Sequence, residues 1–501
     1  MQELYDFSQQ YSYNTNLYSD DLPSLSLTYG KSPSTSDSAN QLATRAGFGR
    51  INYTYDDKYL LELNGRYDGS SRFLKEVRYK FYPGISAGWV VSKENFWKPL
   101  KNVVNNLKLR TSYASLGDQS AFGYYPFYPS MSTTAPTSSN WLFAGGREAY
   151  VVNPSLVNSD LTWITSSTLD FGVDMAFFNN RLDFSFDWYK RMGKNYVGPA
   201  EKLPAILGTT MPNTNDSEIE TTGWELTVGW RDRIKDFNYS VNFVLSDYTG
   251  KVTKYSNPTN LHTTWYEGKK MGEIWGYETY GFFQSEEEIA NAPSQKKISS
   301  KWYPGDIRYV DINNDGVIDW GTNTLENPGD KRIIGNTTPR YSFGLNLHAD
   351  WKGWDFGIFF QGVAKRDAWF GSGSNIFWGI TDGQWQSCVL DTHLDRWTEE
   401  NPDGYYPRYY LSSHGSKNMQ TQTGYLHNAA YIRLKNVQLG YSLPKSLLNK
   451  INFEQLRLFV SVDNLATISN MPKCIDPEFS ASDGKVYPLQ RTWSIGMNLS
   501  F

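Results

Sequence analysis

Trp493-Ser494-Ile495-Gly496-Met497-Asn498-Leu499-Ser500-Phe501 alternates large apolar with small polar side chains up to its last residue. A β-strand has a side-chain period of two. Trp493, Ile495, Met497, Leu499 and Phe501 therefore share one face, and Ser494, Gly496, Asn498 and Ser500 share the other. Such a strand can finish a soluble β-sandwich or a membrane-spanning β-barrel. The rest of the chain has to separate the two.

The same alternation recurs upstream. Tyr59, Leu61, Leu63 and Tyr67 alternate with Glu62, Asn64, Arg66 and Asp68, and Leu107, Leu109, Thr111 and Tyr113 with Lys108, Arg110 and Ser112. Leu169, Phe171, Val173, Met175 and Phe177 alternate with Asp170, Gly172 and Asp174, and Leu182, Phe184, Phe186 and Trp188 with Asp183, Ser185 and Asp187. Similar patterns run through 224–230, 237–245, 341–351, 354–360 and 456–462. Counting all such segments predicts roughly fourteen strands and almost no amphipathic helix. Full charges on the polar face suit a surface that looks into water.

The connections are of two kinds. Asp56-Asp57-Lys58, Asn179-Asn180-Arg181, Arg233 to Asp236 and Lys352-Gly353 read as tight turns, whereas 117–160, 192–216, 252–337 and 365–427 read as long loops rich in Gly, Pro, Ser, Asn and Trp. Alternation of short with long places the tight turns at one end of an up-and-down sheet and the long loops at the other. Outer-membrane barrels sort their connections in this way, whereas sandwiches and propellers have no reason to. Lipid cannot satisfy a free backbone edge, so a spanning sheet has to close on itself. The expected fold class is all-β, an antiparallel transmembrane β-barrel.

Composition agrees. Aromatics make up 16% of the 501 residues, with 35 Tyr and 18 Trp, an excess expected where amphipathic rings sit at two membrane–water interfaces. No apolar run approaches the roughly 18 residues of a spanning helix. A net charge of −4 without a Lys/Arg cluster gives no sign of nucleic acid. Two cysteines, Cys388 and Cys474, are too few for a disulfide framework and leave pairing and free thiols both open. The opening MQELYDFSQQYSYNTNLYSDD has neither a basic n-region nor an apolar h-region. An outer-membrane protein needs a secretory signal, so the chain is expected to be the C-terminal part of a longer protein.

Several blocks together resemble the SusC/RagA-type TonB-linked outer-membrane transporters of the Bacteroidota. Tyr59-Leu-Leu-Glu-Leu-Asn-Gly-Arg66-Tyr-Asp-Gly-Ser-Ser-Arg-Phe73 is similar to the family's "YLL…RxDGSSRF" hairpin, and Phe81-Tyr-Pro-Gly-Ile-Ser-Ala-Gly-Trp89 to its "FPSxSxGW" block. Pro304 to Asp319, Asp330 to Asn336, Tyr431 to Tyr441 and Tyr487 to Arg491 follow in the family's order. The resemblance implies a full-length protein with a signal peptide, a TonB box, a plug domain and a barrel of about 22 strands. This chain would supply a partial barrel of roughly 14 strands with the plug domain absent. The implied partners are a SusD-like surface lipoprotein, the TonB–ExbB–ExbD complex acting through the missing N-terminal region, outer-membrane lipid, and oligosaccharide or peptide cargo. No cofactor is implied.

Asp311-Ile-Asn313-Asn-Asp315-Gly316-Val317-Ile-Asp319 is the one strong local motif. Oxygens at loop positions 1, 3 and 5, Gly at 6, a backbone carbonyl at 7 and Asp at 9 fit a hard cation, which makes Asp311, Asn313, Asp315, Val317 and Asp319 candidate ligands of a structural calcium. Thr322 stands where a bidentate Glu is expected, with Glu326 or Asp330 as substitutes. The same residues also suit an Asx-turn loop that orders itself without metal.

Other motifs carry less. Gly84-Ile-Ser86-Ala-Gly88 spells G-x-S-x-G but sits in an aromatic β segment, without the strand-to-helix elbow a hydrolase nucleophile needs. His262, His348, His393, His414 and His427 show no ligand spacing and are expected in solvent or facing a lumen. Asp183 and Asp187 mimic a glycosidase pair yet share one strand face, where lining a wet lumen is the simpler role. Trp141, Trp265, Trp302, Trp369, Trp378 and Trp385 could stack on sugars, but packing the loops together is favoured. The expected function is therefore TonB-energised import, not enzymatic catalysis. A passive porin, which would conduct ions alone, and a secreted carbohydrate-binding protein, which would be soluble without detergent, stand as alternatives.

Overall fold

The computed structural model describes residues 2–8, 16–17, 21, 28–29, 38–131, 133–134, 150–152, 154, 156–198, 212, 214–371, 374–379, 389–410, 413–448, 453–473, 475–478, 487 and 489–501. Fourteen strands form one antiparallel sheet in strict chain order. They are β1 (Gln2–Ser8), β2 (Ser38–Tyr55), β3 (Tyr59–Ser70), β4 (Tyr79–Val90), β5 (Val104–Asp118), β6 (Ile164–Phe177) and β7 (Leu182–Gly198). There follow β8 (Thr214–Ile234), β9 (Phe237–Lys254), β10 (Arg340–Trp351), β11 (Trp354–Lys365), β12 (Tyr431–Ser442), β13 (Gln455–Ser469) and β14 (Thr492–Ser500). No described helix is long and apolar enough to cross a membrane.

Register turns the alternation into a surface. Phe171 lies opposite Trp188, Trp188 opposite Trp224, and Val173 opposite Phe186, which faces Leu226, Leu245 and Phe343 in turn. Further along, Phe356 meets Leu439, then Val460, then Ile495. One sheet face is thus apolar across the strands, and its side chains are bare: Ile495 is 88% exposed and Ile51 66%. A one-residue slip in any pair would turn a whole row to the wrong face, so the apolar band itself fixes the register. Along β8 the band runs from Trp224 to Ile234. The ten steps between them at about 3.4 Å each, tilted by about 40°, give roughly 25 Å, the height of a barrel's apolar belt.

The links sort by pole. At one end lie 56–58, 91–103, 178–181, 235–236, 352–353 and 443–454; at the other lie 9–37, 71–78, 119–163, 199–213, 255–339, 366–430 and 470–491. Two tight turns are built on left-handed backbone: Asp56 and Asp57 have φ of 52° and 49°, and Lys352 and Gly353 have 49° and 91°. Left-handed turns match the twist of the strands they join. Strand pairing continues beyond the apolar stretches, with β7 reaching Gly198 and β8 starting at Thr214 inside the segment the sequence suggested as loop. Above the lipid band polar and apolar residues are mixed on both faces, so alternation no longer marks the strand.

The apolar core proper lies at the long-link pole. Tyr277, Phe283, Trp302, Ile307, Tyr309 and Ile318 from 255–339 pack with Phe370, Phe377, Trp378, Tyr406 and Tyr425 from 366–430, and Met471 joins them from 470–491. A smaller cluster of Phe73, Tyr82, Phe122, Trp163 and Ile164 sits over the upper ends of β4 to β6.

Candidate functional site

The polar face of the sheet is a wall of matched charges. Arg110 Nε lies 2.8 Å from Asp174 Oδ2 and its Nη2 lies 2.8 Å from Asp187 Oδ2, while Ser185 Oγ donates to Asp174 at 2.8 Å. Gly172 leaves the room for this cluster, because a Cβ there would stand 2.4 Å from Asp187 and 2.7 Å from Arg110. Further round, Arg457 Nε donates to Asp355 Oδ2 at 2.8 Å and Asn436 to Asp463 at 2.7 Å. Asp183 pairs with Arg231 at 3.1 Å. Asp183 and Asp187 are thus each matched by a different arginine, an arrangement for a hydrated wall and not for an acid/base pair. Ser86 lies in the unbroken strand β4, opposite Glu62 and Ser112, which rules out a nucleophile elbow.

Over the long-link pole, links 255–339 and 366–430 fold as one body. Their junction is a buried ion pair, Lys417 Nζ to Asp306 Oδ2 at 2.5 Å, with both side chains at most 2% exposed. A buried charge pair persists only when its remaining donors and acceptors are satisfied. Here they are. Asp306 also accepts from Tyr303 N, Tyr410 OH and Asn418 Nδ2 at 2.8 to 2.9 Å, and Lys417 donates to the Lys301 carbonyl at 2.8 Å. The Trp302, Tyr303 and Tyr410 rings stand about the ammonium at 4.6 to 5.2 Å. Burial holds the Lys417 ammonium below its usual range, with Asp306 opposing the shift. Gly305, at φ +87°, brings the chain against Trp397, where a Cβ would stand 2.2 Å from the ring. Backbone pairing completes the seam: Tyr277 N donates to Thr421 O at 2.9 Å and Thr423 N to Tyr277 O at 3.0 Å.

The acidic loop lies on this body. Asp311 Oδ2 accepts from Gly316 N at 2.8 Å, Asn313 Oδ1 from Asp315 N at 3.1 Å, and Asp315 Oδ1 from Val317 N at 2.9 Å. Gly316 takes φ +82°. Asp330, fully buried, accepts from Ile312 N and Asp319 N, each at 2.8 Å, and Glu326 accepts from Asn260. The two carboxylates offered as substitutes for Thr322 are therefore engaged elsewhere. Among the described residues no group of three or more His, Cys, Asp or Glu is gathered as a metal would gather it. Asp311 Oδ1 is buried and has no hydrogen-bond partner.

Three histidines depart from the expectation of solvent or lumen. His262 stacks on Trp275 at 4.6 Å, His393 is fully buried, and His427 lies against Phe370 and Phe377. Burial pushes His427 down to about 4. Their sequence neighbourhoods are loop-like because the module's core is assembled from distant segments, which no local period reveals. His348 is on the polar face of β10, 3.2 Å from Asp350; the side chain of His414 lies outside the described residues. Trp302 and Trp378 are module core, Trp265 and Trp369 are part-buried, and Trp141 and Trp385 lie outside the described residues, as do Cys388 and Cys474. Arg433 was missed by the sequence reading. Only 1% of its side chain is exposed, and it ties β12 to the 470–491 link through Asp476 and Glu478, each at 2.7 Å.

A sheet with a bare apolar band of membrane height on one face and a charged wall on the other is the wall of an outer-membrane β-barrel. Residues 2–465 match the family model "TonB dependent receptor-like, beta-barrel", and the chain belongs to that family. It is 29% identical over 484 residues to TonB-dependent receptor P3 of Formosa agariphila, covering 91% of this chain and 45% of that protein. To TonB-dependent receptor SusC of Bacteroides thetaiotaomicron it is 26% identical over 465 residues, covering 91% and 43%. The solved RagAB peptide transporter shares the fold, with a TM-score of 0.70 at 22% identity over 96% of this chain and 50% of that one. The chain thus spans about half the length of the relatives it matches. It is part of an outer-membrane barrel of a Gram-negative bacterium, and its relatives are receptors and transporters, not enzymes.

Proposed function

We propose that this chain supplies barrel wall and surface loops to a TonB-energised importer of oligosaccharides or peptides. The observation that carries the reading is the pairing of a charged wall with a loop module that has its own buried core at the long-link pole. A passive pore needs the wall alone; a module with its own core and a buried ion-pair seam suits a surface that captures cargo and docks a lid. The lid partner is a SusD-like surface lipoprotein, and the long-link pole faces the cell exterior. TonB–ExbB–ExbD acts through parts of the protein outside these residues. For the loop 311–319 we propose a structural calcium held by Asp311, Asn313, Asp315, the Val317 carbonyl and Asp319. The peptide class follows the RagAB peptide transporter, whose fold the chain shares, and the oligosaccharide class rests on the family resemblance.

Uptake decides the matter. A strain lacking this protein should lose TonB-dependent uptake of one cargo class, oligosaccharide or peptide, and regain it on complementation. Unchanged uptake of both classes, together with steady ion conductance by the purified protein in a planar bilayer, would overturn the importer in favour of a porin.

A further inference from the structure

The loop module also holds two lysines that no carboxylate neutralises. They stand where the short ladder of Glu273–Tyr277 with Lys331–Asn336 meets residues 261–269. His262 is at the centre, 2% exposed, its ring stacked on Trp275 at 4.6 Å between centroids. Both of its ring nitrogens are buried and have no hydrogen-bond partner. Its backbone brings the cations to it. Lys269 Nζ donates to the His262 carbonyl at 3.2 Å and to the Thr264 carbonyl at 2.9 Å. His262 N donates to the Asn323 carbonyl at 3.0 Å, and Lys331 Nζ donates to Oδ1 of that same asparagine at 3.4 Å. Lys331 lies opposite Tyr277, with its ammonium 5.4 Å from the centre of that ring. The nearby carboxylates are engaged elsewhere. Glu273 accepts from Tyr266 OH at 2.6 Å and Lys270 N at 3.0 Å, and Asp330 from Ile312 N and Asp319 N. Among the described residues neither ammonium is paired with a carboxylate.

The geometry points to a chloride ion bound among Lys269, Lys331 and His262. A buried polar atom without a partner marks a water or an ion, and a water would leave both positive charges uncompensated. Burial holds the Lys331 ammonium below its usual range, and Lys269 likewise with Glu273 opposing. Burial also lowers His262, with Lys331 and then Lys269 adding to the shift. All three groups thus sit where negative charge is lacking. The donors left over set the size of the ion. Of the three N–H groups on each lysine, Lys269 uses two on carbonyls and Lys331 one on Asn323, so three remain and the imidazole supplies a fourth. Four N–H groups from three side chains match a monatomic anion, whereas a sulfate would have most of its acceptors unmet. The ion ties residues 261–269 to the ladder that carries Lys331, doing for these lysines what Asp306 does for Lys417. The inference depends on neither cargo nor TonB, so it can fail while import stands.

The test uses the protein purified from outer membranes in mild detergent and exchanged into sodium gluconate, whose anion is too bulky for the site. Chloride is then titrated in at constant ionic strength and constant calcium, and the rate of proteolytic cutting within 255–339 is read. Cutting should slow about tenfold once chloride reaches ten times its Kd, and bromide should act in the same way. In K331M and H262F the rate should not respond to chloride, whereas K296Q, at an exposed lysine of the same link, should respond as the native protein does. Bromide anomalous scattering from crystals of the native protein needs no variant and should place a peak beside His262, Lys269 and Lys331. A native cutting rate indifferent to chloride, an unchanged chloride response in the folded variants, equal protection by sulfate, or no bromide peak at these residues would overturn the inference.

Discussion

The sheet and the loop module use the same apolar residues in opposite ways. In the sheet Trp493, Ile495 and Ile51 stand 66% to 88% exposed, while in the module Trp378, Phe377 and Ile307 are wholly buried. The difference lies in the solvent each meets. The sheet's apolar side chains have hydrocarbon as their partner and need no core of their own, only unbroken register. The module projects into water, so it must build a dry interior from segments more than a hundred residues apart and pin them together. Stability in the first is spread along the strands; in the second it is concentrated at a seam.

Breaking the seam should therefore have the largest effect. Asp306→Ala leaves the Lys417 ammonium buried without its partner, at a cost of about 3–5 kcal/mol. Limited proteolysis should then cut within 255–339 and 366–430 while heat-modifiable migration of the barrel stays normal. If the loops resist protease as before, the module does not depend on this pair. The converse experiment puts a charge into the lipid-facing band. Leu345→Arg, in the middle of β10, should destabilise the folded barrel by up to about 4 kcal/mol in urea titration, whereas Asn346→Arg on the opposite face should have little effect. Equal effects would mean that the two faces do not meet different solvents.

Acid should act on the module and spare the sheet. His427 has its folded pKa lowered to about 4, against about 6.5 when unfolded. Between those values the unfolded state binds the extra proton, so stability is full above about pH 6.5 and falls as pH drops toward 4. The span corresponds to about 3 kcal/mol by linkage. Protease resistance of the loops should fall over that range in the native protein and fall less in His427→Phe. Parallel pH profiles would assign the acid sensitivity to other groups.

How much was legible in the sequence follows the same division. Alternation along Leu169–Phe177 and Leu182–Trp188 gave those strands, their faces and their turn, because a hairpin at a lipid boundary is specified by its own residues. The extension of β7 to Gly198 was not visible, since past Lys190 apolar and polar residues no longer alternate. In the module, Asp306 belonged to a family-like block and Lys417 to an unremarkable stretch. Nothing local joins positions 111 residues apart, and the buried settings of His262, His393 and His427 were lost for the same reason.

Calcium carries the smallest expected effect and probes the module's weakest part. The side chains of Asp311, Asn313 and Asp315 each already accept one backbone N–H, yet a carboxylate has about four lone-pair sites, so these bonds leave donors for an ion. Asp311 Oδ1, buried without a partner, is the oxygen with most to gain. Binding that closes the loop on an ion should stabilise the module by about 1.4 kcal/mol at ten times the Kd. The measurement is the loss of loop protection when EDTA replaces calcium, compared between the native protein and Asp311→Asn. Calcium should protect the first and not the second. Equal protease resistance with and without calcium in the native protein would assign 311–319 to self-ordering turns, and the module would then be held by its seam and core alone.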